Sequence, residues 1–272
     1  MANPAFNNSP AFSGKSIAQL PMATAAAQKG LSTEQLDELY GRPSATPAET
    51  DRMSYEDTIV KIVVSFAILL GGAVIGWFVP VLWIPAAIVG FVLALVNIFK
   101  KQPSPALILS YAAVEGVFVG GISNFYSQFG DGIVPQAVFG TLAIVGITLA
   151  LFLSGKVRSS KRATKVFMIA MIGYLAFSLV NVVLMLTGVT TGMFGLRSIE
   201  FLGLPLGVWL GALIVLMAAY SLVIDFEQIK TGVERGAPRI FGWTAAFGIM
   251  VTVVWLYTEV LRIVAMLTIP RN

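Results

Sequence analysis

The chain has 272 residues, of which 57% are hydrophobic and 12% are charged, and its mean hydropathy is +0.83. A soluble domain needs more polar surface than this composition supplies, so we expect an integral membrane protein. Cysteine and histidine do not occur, which excludes disulfides, thiolate nucleophiles, imidazole bases and nearly all zinc and copper sites. Oxygen ligands remain, and these suit H⁺, Ca²⁺, Mg²⁺ or Na⁺.

The net charge of +4 is divided unevenly along the chain. Residues 1–57 carry four basic and seven acidic side chains, whereas residues 58–272 carry fourteen basic and seven acidic ones. The basic excess therefore belongs to the apolar part of the chain. There it sets the membrane topology and does not indicate nucleic-acid binding.

The first part of the chain, residues 1–52, is rich in Ala, Asn, Ser and Pro and contains no apolar run. We predict a cytoplasmic, largely disordered tail with one short helix that begins at Ser32, where a capping pattern occurs. The transmembrane domain is predicted to occupy residues 53–272.

Seven apolar segments of spanning length follow the tail. Each is close to the roughly 20 residues that a helix needs to cross a hydrocarbon core of about 30 Å. The alternation of apolar and polar residues that is typical of a membrane barrel is not seen. We therefore predict an all-α integral membrane protein, a bundle of seven transmembrane helices surrounded by the lipid bilayer. The predicted segments are residues 59–79, 82–99, 106–126, 135–154, 166–187, 203–225 and 241–266.

Basic residues in the loops predict the orientation of this bundle. They concentrate in the loops that follow the second, fourth and sixth segments, whereas the other loops hold only Arg197. The positive-inside rule therefore predicts a multi-pass protein of the plasma membrane, with its N-terminus in the cytoplasm and its C-terminus outside. The basic loop residues are Lys100, Lys101, Lys156, Arg158, Lys161, Arg162, Lys165, Lys230, Arg235 and Arg239.

Two pairs of glycines occur at a spacing of four residues within the predicted helices. Gly72 and Gly76 lie in the first segment, and Gly116 and Gly120 lie in the third. This spacing lets two helix backbones approach closely in a membrane. It predicts packing contacts and no catalytic role for these glycines.

Three carboxylates lie within the apolar segments: Glu115, Asp225 and Glu259. An ionisable group inside a membrane is costly and by default marks an ion or proton path. Glu115 lies ten residues after Pro105, which places it roughly 15 Å into the membrane. It has either a role in such a path or a structural role as a protonated acid hydrogen-bonded to a neighbouring helix.

The other two carboxylates have different sequence surroundings. Asp225 lies about two turns, or roughly 10 Å, from the cytoplasmic end of its helix. There it either faces a vestibule, together with Tyr220 and Ser221, or is an interfacial acid without a role. Glu259 precedes Arg262 by three residues, a spacing that lets the two side chains pair on one helix face. This favours an ion pair near the outer end over an ion gate.

No catalytic residues are predicted. The sequence has no Walker A motif, no dinucleotide-binding fingerprint, no H-E-x-x-H and no G-x-S-x-G. An aspartyl intramembrane protease needs two membrane aspartates, and only Asp225 qualifies. We therefore expect a protein that is not an enzyme and that has no cofactor.

The segment SLVIDFEQIK and the helix after it resemble the last two helices of the transmembrane Bax inhibitor motif family, in its bacterial form. The specific part is the pattern I-D-x-x-Q-I, which begins at Ile224 and Asp225, and the L-R pair at Leu261 and Arg262. The resemblance extends over roughly residues 55–268. The tail before residue 50 is not covered by it.

The resemblance implies a seven-helix bundle with the last helix in the centre and a pH-sensitive calcium leak. In such proteins two aspartates on the last two helices share a proton and latch the pore. The first aspartate corresponds to Asp225, whereas the second corresponds to Thr252, which cannot ionise. A basic latch residue on the second helix corresponds to Lys101. A membrane glutamate on that helix corresponds to Gly90, and Glu115 would supply the missing charge from the third segment.

We therefore expect a cation leak channel or exchanger that carries Ca²⁺ or H⁺ and responds to pH. The alternative is a non-transporting membrane partner that binds or regulates a quality-control protease or another membrane complex through its tail. Whether the protein binds a metal ion stays open. The residues expected in the path or gate are Asp225, Glu115, Glu259 and Thr252, with Lys101 and Arg262 as latch partners.

Overall fold

The computed structural model describes residues 51–190 and 192–269. The predicted tail up to residue 50, including the helix expected at Ser32, lies outside the described residues. Within the described part, seven helices are long and apolar enough to cross a membrane. They are α1 (Tyr55–Phe78), α2 (Trp83–Phe99), α3 (Pro105–Ser127), α4 (Ile133–Leu153), α5 (Lys161–Leu186), α6 (Leu206–Glu234) and α7 (Gly242–Thr268).

The last helix, α7, lies in the centre of the bundle. It contacts α1, α3, α4 and α6, and 61% of its most apolar stretch is buried, compared with 6% for α5. The prediction of a seven-helix bundle with a central last helix is therefore confirmed. The peripheral α5 is the least buried of the described spans.

Two helices extend five or more residues beyond the apolar segments that hydropathy predicts. α5 begins at Lys161, five residues early, because the Ser160 hydroxyl caps it by accepting a hydrogen bond from the Ala163 amide at 3.1 Å. α6 continues to Glu234, nine residues past the predicted end. Hydropathy marks only the part of a helix inside the hydrocarbon, so it misses polar turns at the ends.

Short elements connect the helices. A 3-10 turn, Pro80–Leu82, links α1 to α2, and a second, Arg239–Phe241, precedes α7. Between α5 and α6 lie a 3-10 turn, Gly195–Ser198, and two antiparallel strands, β1 (Glu200–Phe201) and β2 (Leu204–Pro205). Hydropathy predicts none of these elements.

The alternating direction of the helices defines two ends of the bundle. The basic end holds the start of α1 and the loops that follow α2, α4 and α6. The opposite end holds the loops that follow α1, α3 and α5. Arg197 lies in the last of these, in the 3-10 turn before α6.

Helices α1 and α3 cross with their backbones in direct contact. A Cβ atom added to Gly72 would overlap the carbonyl oxygen of Ala113, and one added to Gly116 would overlap the carbonyl oxygen of Leu69. The second glycine of each pair makes the equivalent approach one turn further along. The spacing of four residues thus produces the close contact that it predicts.

A charged cluster joins α1 to the turn before α7 at the basic end. The Asp57 carboxylate accepts from Lys61 Nζ at 2.5 Å and from Arg239 Nη2 at 2.7 Å. Lys61, only 8% exposed, also donates to the Arg239 carbonyl at 2.7 Å. The Met53 amide donates to the Ala237 carbonyl beside it at 2.7 Å. We call Asp57, Lys61 and Arg239 the basic-end clamp; sequence reasoning assigned Arg239 to topology alone.

Replacing Asp57 by Asn should destabilise the protein by about 2 kcal/mol, because the buried Lys61 ammonium then loses its counter-charge. The measurement is thermal unfolding in detergent. The matched control is Glu56→Gln, which removes an exposed carboxylate from the same turn. Equal melting temperatures for Asp57→Asn and Glu56→Gln would show that the clamp does not stabilise the bundle.

Candidate functional site

Asp225 lies at the contact between α6 and α7. Its side chain is fully buried, and its Oδ2 accepts a hydrogen bond from Thr252 Oγ1 on α7 at 2.7 Å. Ser221, one turn earlier on α6, has its hydroxyl 3.5 Å from the same Thr252 oxygen. We call these three residues the Asp225 cluster. The structure thus brings Asp225 together with Thr252.

The Asp225 cluster lies inside the bundle, and the Asp225 side chain has no exposed surface in the described part of the chain; from the sequence it either faces a vestibule or is an interfacial acid. Asp225 is nine residues from the end of α6 at Glu234, and Thr252 is ten residues from the start of α7 at Gly242. Both lie roughly 14 Å from the basic end. Tyr220 turns away from the cluster, since its hydroxyl lies 2.9 Å from Thr164 on α5. Packing of α6 on the central α7 therefore seals the carboxylate.

The chemistry of the Asp225 cluster suits hard cations and protons. One carboxylate and two hydroxyls are the oxygen donors that these species accept. In the described part of the chain, no three Asp, Glu, Cys or His side chains are grouped closely enough to hold a metal ion. The cluster has too few acidic groups for a tight resident calcium site.

Glu115 lies in another helix interface, between α3 and α2. A Cβ atom added to Gly90 on α2 would lie 2.7 Å from Glu115 Oε2. The Glu115 carboxyl group therefore occupies the notch that Gly90 leaves, and the Tyr111 hydroxyl on its own helix is its polar neighbour. The structure thus places a carboxylate from α3 beside the position where the resemblance implies one on α2. Glu115 faces α2, whereas Asp225 faces α7.

Replacing Gly90 by Leu should destabilise the protein by about 2 kcal/mol, because the new side chain needs the space of the Glu115 carboxyl group. With Glu115→Ala present, the same change should cost about 1 kcal/mol less. Thermal unfolding of the wild-type protein, the two single variants and the double variant measures the coupling between the two positions. Gly173→Leu on α5 is the control, since a Cβ there meets no atom within 4 Å. Strictly additive losses would contradict the contact between Glu115 and α2.

Glu259 belongs to a charged cluster nearer the opposite end. Its Oε2 accepts from Arg262 Nη1 at 2.6 Å and from the Tyr174 hydroxyl of α5 at 2.9 Å. The Tyr174 oxygen in turn accepts from both Arg262 and Arg197, each at 3.1 Å, and Arg197 also donates to Ser178 at 2.9 Å. We call these five residues the opposite-end cluster.

Sequence reasoning identified only part of the opposite-end cluster. The spacing of three residues predicts the pairing of Glu259 with Arg262, and the two side chains do pair. Tyr174, Ser178 and Arg197 were missed. The available signal was that Arg197 is the one basic residue in the opposite-end loops, where the positive-inside rule expects none.

The Asp225 cluster and the opposite-end cluster lie at different positions along α7, and Lys101 is close to neither. Glu259 is seven residues beyond Thr252, or roughly 10 Å along the helix. Lys101 is exposed and lines a small cavity with Thr244 and other residues at the basic end. Thr244 itself is eight residues, roughly 12 Å, before Thr252. The structure therefore places Lys101 at the surface of the basic end, and its role as a latch partner stays a prediction.

The fold and these sites define a multi-pass helical membrane protein with carboxylates buried inside its bundle. A family model described as Bax inhibitor 1 like matches residues 3–269, and the chain belongs to that family. The suspected resemblance is therefore confirmed. The match begins at residue 3, so the expectation that the resemblance leaves out the tail is wrong. A sequence comparison with curated proteins gives no match for this chain.

Proposed function

We propose that this protein is a cation leak channel or exchanger for Ca²⁺ or H⁺, without catalytic activity. The observation that carries the proposal is Asp225, a carboxylate buried well inside a membrane bundle against a hydroxyl of the central helix. Such a group is costly unless it takes part in passing an ion or proton. The calcium leak that the resemblance implies supports the same function.

Thr252 controls access to Asp225 in this proposal. The Thr252 hydroxyl donates to Asp225 across the contact of α6 and α7 at 2.7 Å, and in this proposal the bond keeps the two helices together and the route to the carboxylate closed. A shift of one helix that breaks this bond exposes Asp225 to a cation or proton. Exposure to both ends together gives a leak channel, and exposure to one end at a time gives an exchanger.

The Thr252 hydroxyl also determines how the contact responds to pH. A hydroxyl donates to an ionised carboxylate and accepts from a protonated one, so this contact survives protonation of Asp225. A pair of carboxylates that share a proton loses its hydrogen bond when both ionise. We therefore infer that pH acts on the occupancy of Asp225 by a proton or cation and only weakly on the contact itself.

We place the basic end in the cytoplasm of a plasma-membrane protein, because three loops with a basic excess lie at that end. The alternative, a membrane partner that docks a protease or another complex, depends on the tail, which lies outside the described residues. Deleting residues 1–50 separates the two functions, since a channel keeps its flux without the tail.

The test of the proposal is Ca²⁺ and H⁺ flux into dye-loaded proteoliposomes between acid and alkaline pH. Protein-free vesicles and the Glu115→Gln variant are measured in parallel. We also assign Glu115, at the interface of α3 and α2, to the ion path. We therefore expect Ca²⁺ flux above that of protein-free vesicles and a lower flux for Glu115→Gln, because that carboxylate is lost. A flux equal to that of protein-free vesicles at every pH would contradict the proposal and favour the docking protein.

A further inference from the structure

The opposite-end cluster carries more positive than negative charge. Its two guanidinium groups, on Arg197 and Arg262, are accompanied by one carboxylate, that of Glu259. The carboxylate is bonded to Arg262 at 2.6 Å, so that pair is neutral. The cluster therefore has one excess positive charge, that of Arg197.

Arg197 has neutral partners only, among the residues that the structure describes. It donates to the hydroxyls of Tyr174 and Ser178, and its guanidinium lies 5.3 and 5.6 Å from the ring centroids of Tyr174 and Phe177. Its Nε has no hydrogen-bond partner in the described part of the chain, although the residue is only 7% exposed. Hydroxyls and aromatic faces hold a cation in place without removing its charge.

The position of this excess charge gives it an effect on ions. The cluster lies roughly 10 Å along α7 from Thr252, toward the opposite end. A unit charge in a poorly solvated site repels a cation strongly over such a distance. Glu259 does not offset the repulsion, because its charge is already matched by Arg262. A cation that leaves the Asp225 cluster toward this end therefore meets a net positive charge.

We propose that Arg197 is a specificity-determining residue, which together with Arg262 forms a barrier to cations between the Asp225 cluster and the opposite end. This inference rests on the proposed function. The barrier keeps the described state closed at one end even when Asp225 becomes accessible from the other. It also means that Glu259 is not a cation ligand in this state.

Tyr174 gives the barrier a way to open. Its hydroxyl contacts Glu259 and both arginines, and Tyr174 and Ser178 both lie on α5. Because α5 is the least buried of the described spans, it can move with little loss of packing. A displacement of α5 withdraws the acceptors that hold Arg197 beside Glu259 and removes the excess charge from the path.

The test compares Ca²⁺ and Cl⁻ fluxes in proteoliposomes that contain the wild-type protein or a variant of Arg197. Arg197→Gln should raise the Ca²⁺ flux by roughly tenfold, because the excess charge is gone, and should leave the Cl⁻ flux unchanged. Arg197→Lys keeps the charge and should leave the Ca²⁺ flux low. Arg162→Gln is the matched control, since it removes an exposed guanidinium at the basic end and should change nothing.

Three results would overturn the barrier. They are an unchanged Ca²⁺ flux in Arg197→Gln, an equal increase in Arg197→Gln and Arg197→Lys, and a parallel increase of Ca²⁺ and Cl⁻. The last two results would show that the substitution loosens the loop between α5 and α6, and that the charge of Arg197 is not the cause. A thermal unfolding curve checks that each variant is folded. If Arg197→Gln does not fold, Arg262→Gln removes the other guanidinium and should raise the Ca²⁺ flux in the same way.

Adding Asp225→Asn to Arg197→Gln separates this inference from the proposed function. If the raised Ca²⁺ flux disappears, the barrier and the proposed function are both supported. If it persists, the barrier stands and the path through Asp225 fails. If the wild-type flux depends on Asp225 but Arg197→Gln does not change it, the proposed function stands and the barrier fails. If no variant conducts Ca²⁺, both fail.

Discussion

Replacing Asp225 by Asn should lower the Ca²⁺ flux of the reconstituted protein at least about tenfold, which corresponds to roughly 1.4 kcal/mol in the barrier. Asn fits the same space and its amide oxygen still accepts from the Thr252 hydroxyl, so the helices stay packed. It carries no charge for a cation and no exchangeable acid proton, so the path loses its central group. The measurement is the initial rate of the dye signal in proteoliposomes.

One control and one further variant accompany Asp225→Asn. Asp131→Asn removes an exposed carboxylate from the loop before α4 and should leave the flux unchanged. Thr252→Val removes the hydroxyl that holds Asp225 and leaves the charge of the cluster unchanged, so it should weaken the closed state and raise the flux. Equal fluxes for Asp225→Asn and the wild-type protein would remove Asp225 from the path.

Replacing Gly72 by Ala should destabilise the bundle by about 2 kcal/mol or more. The added Cβ would overlap the carbonyl oxygen of Ala113, and a backbone atom cannot move aside as the end of a side chain can. The backbones of α1 and α3 must then move apart at this contact. The measurement is the melting temperature in detergent, together with the yield of folded protein.

The neighbouring glycine provides the control for Gly72→Ala. A Cβ added to Gly71 meets no atom within 4 Å, so Gly71→Ala should change the stability by less than about 1 kcal/mol. The two variants differ by one position and have the same composition. Similar melting temperatures for both would contradict the backbone contact between α1 and α3.

Much of the fold is predictable because crossing a membrane imposes a length and a composition on each helix. Hydropathy averages over a whole span, so it finds all seven spans that the structure describes. It does not see capping, and it therefore places the start of α5 five residues beyond Lys161. It also ends α6 at Asp225, where the helix becomes polar without ending.

The candidate sites are predictable only where one helix or the resemblance supplies the geometry. A spacing of three residues is enough to place Glu259 beside Arg262, because both lie on α7. The family pattern is enough to pair Asp225 with Thr252 across two helices. The residues that complete each site come from distant parts of the chain. The spacing of residues along one helix does not predict such contacts.

Three contacts illustrate what the sequence leaves open. The notch for Glu115 depends on how α2 is rotated about its axis, which determines whether Gly90 faces α3. The basic-end clamp joins residues 182 positions apart in the chain. Among the described residues, Arg197 is linked to Glu259 through Tyr174 on α5, a residue that hydropathy classes as part of an ordinary span.

The most direct test of cation passage past a buried carboxylate is Ca²⁺ uptake into proteoliposomes with an imposed membrane potential. Wild-type protein and Asp225→Asn are compared in vesicles of the same lipid composition and protein content. We expect wild-type uptake that grows as the vesicle interior is made more negative and that Asp225→Asn largely abolishes. Uptake that equals that of protein-free vesicles at every potential, or that is the same for both proteins, would contradict a path through Asp225.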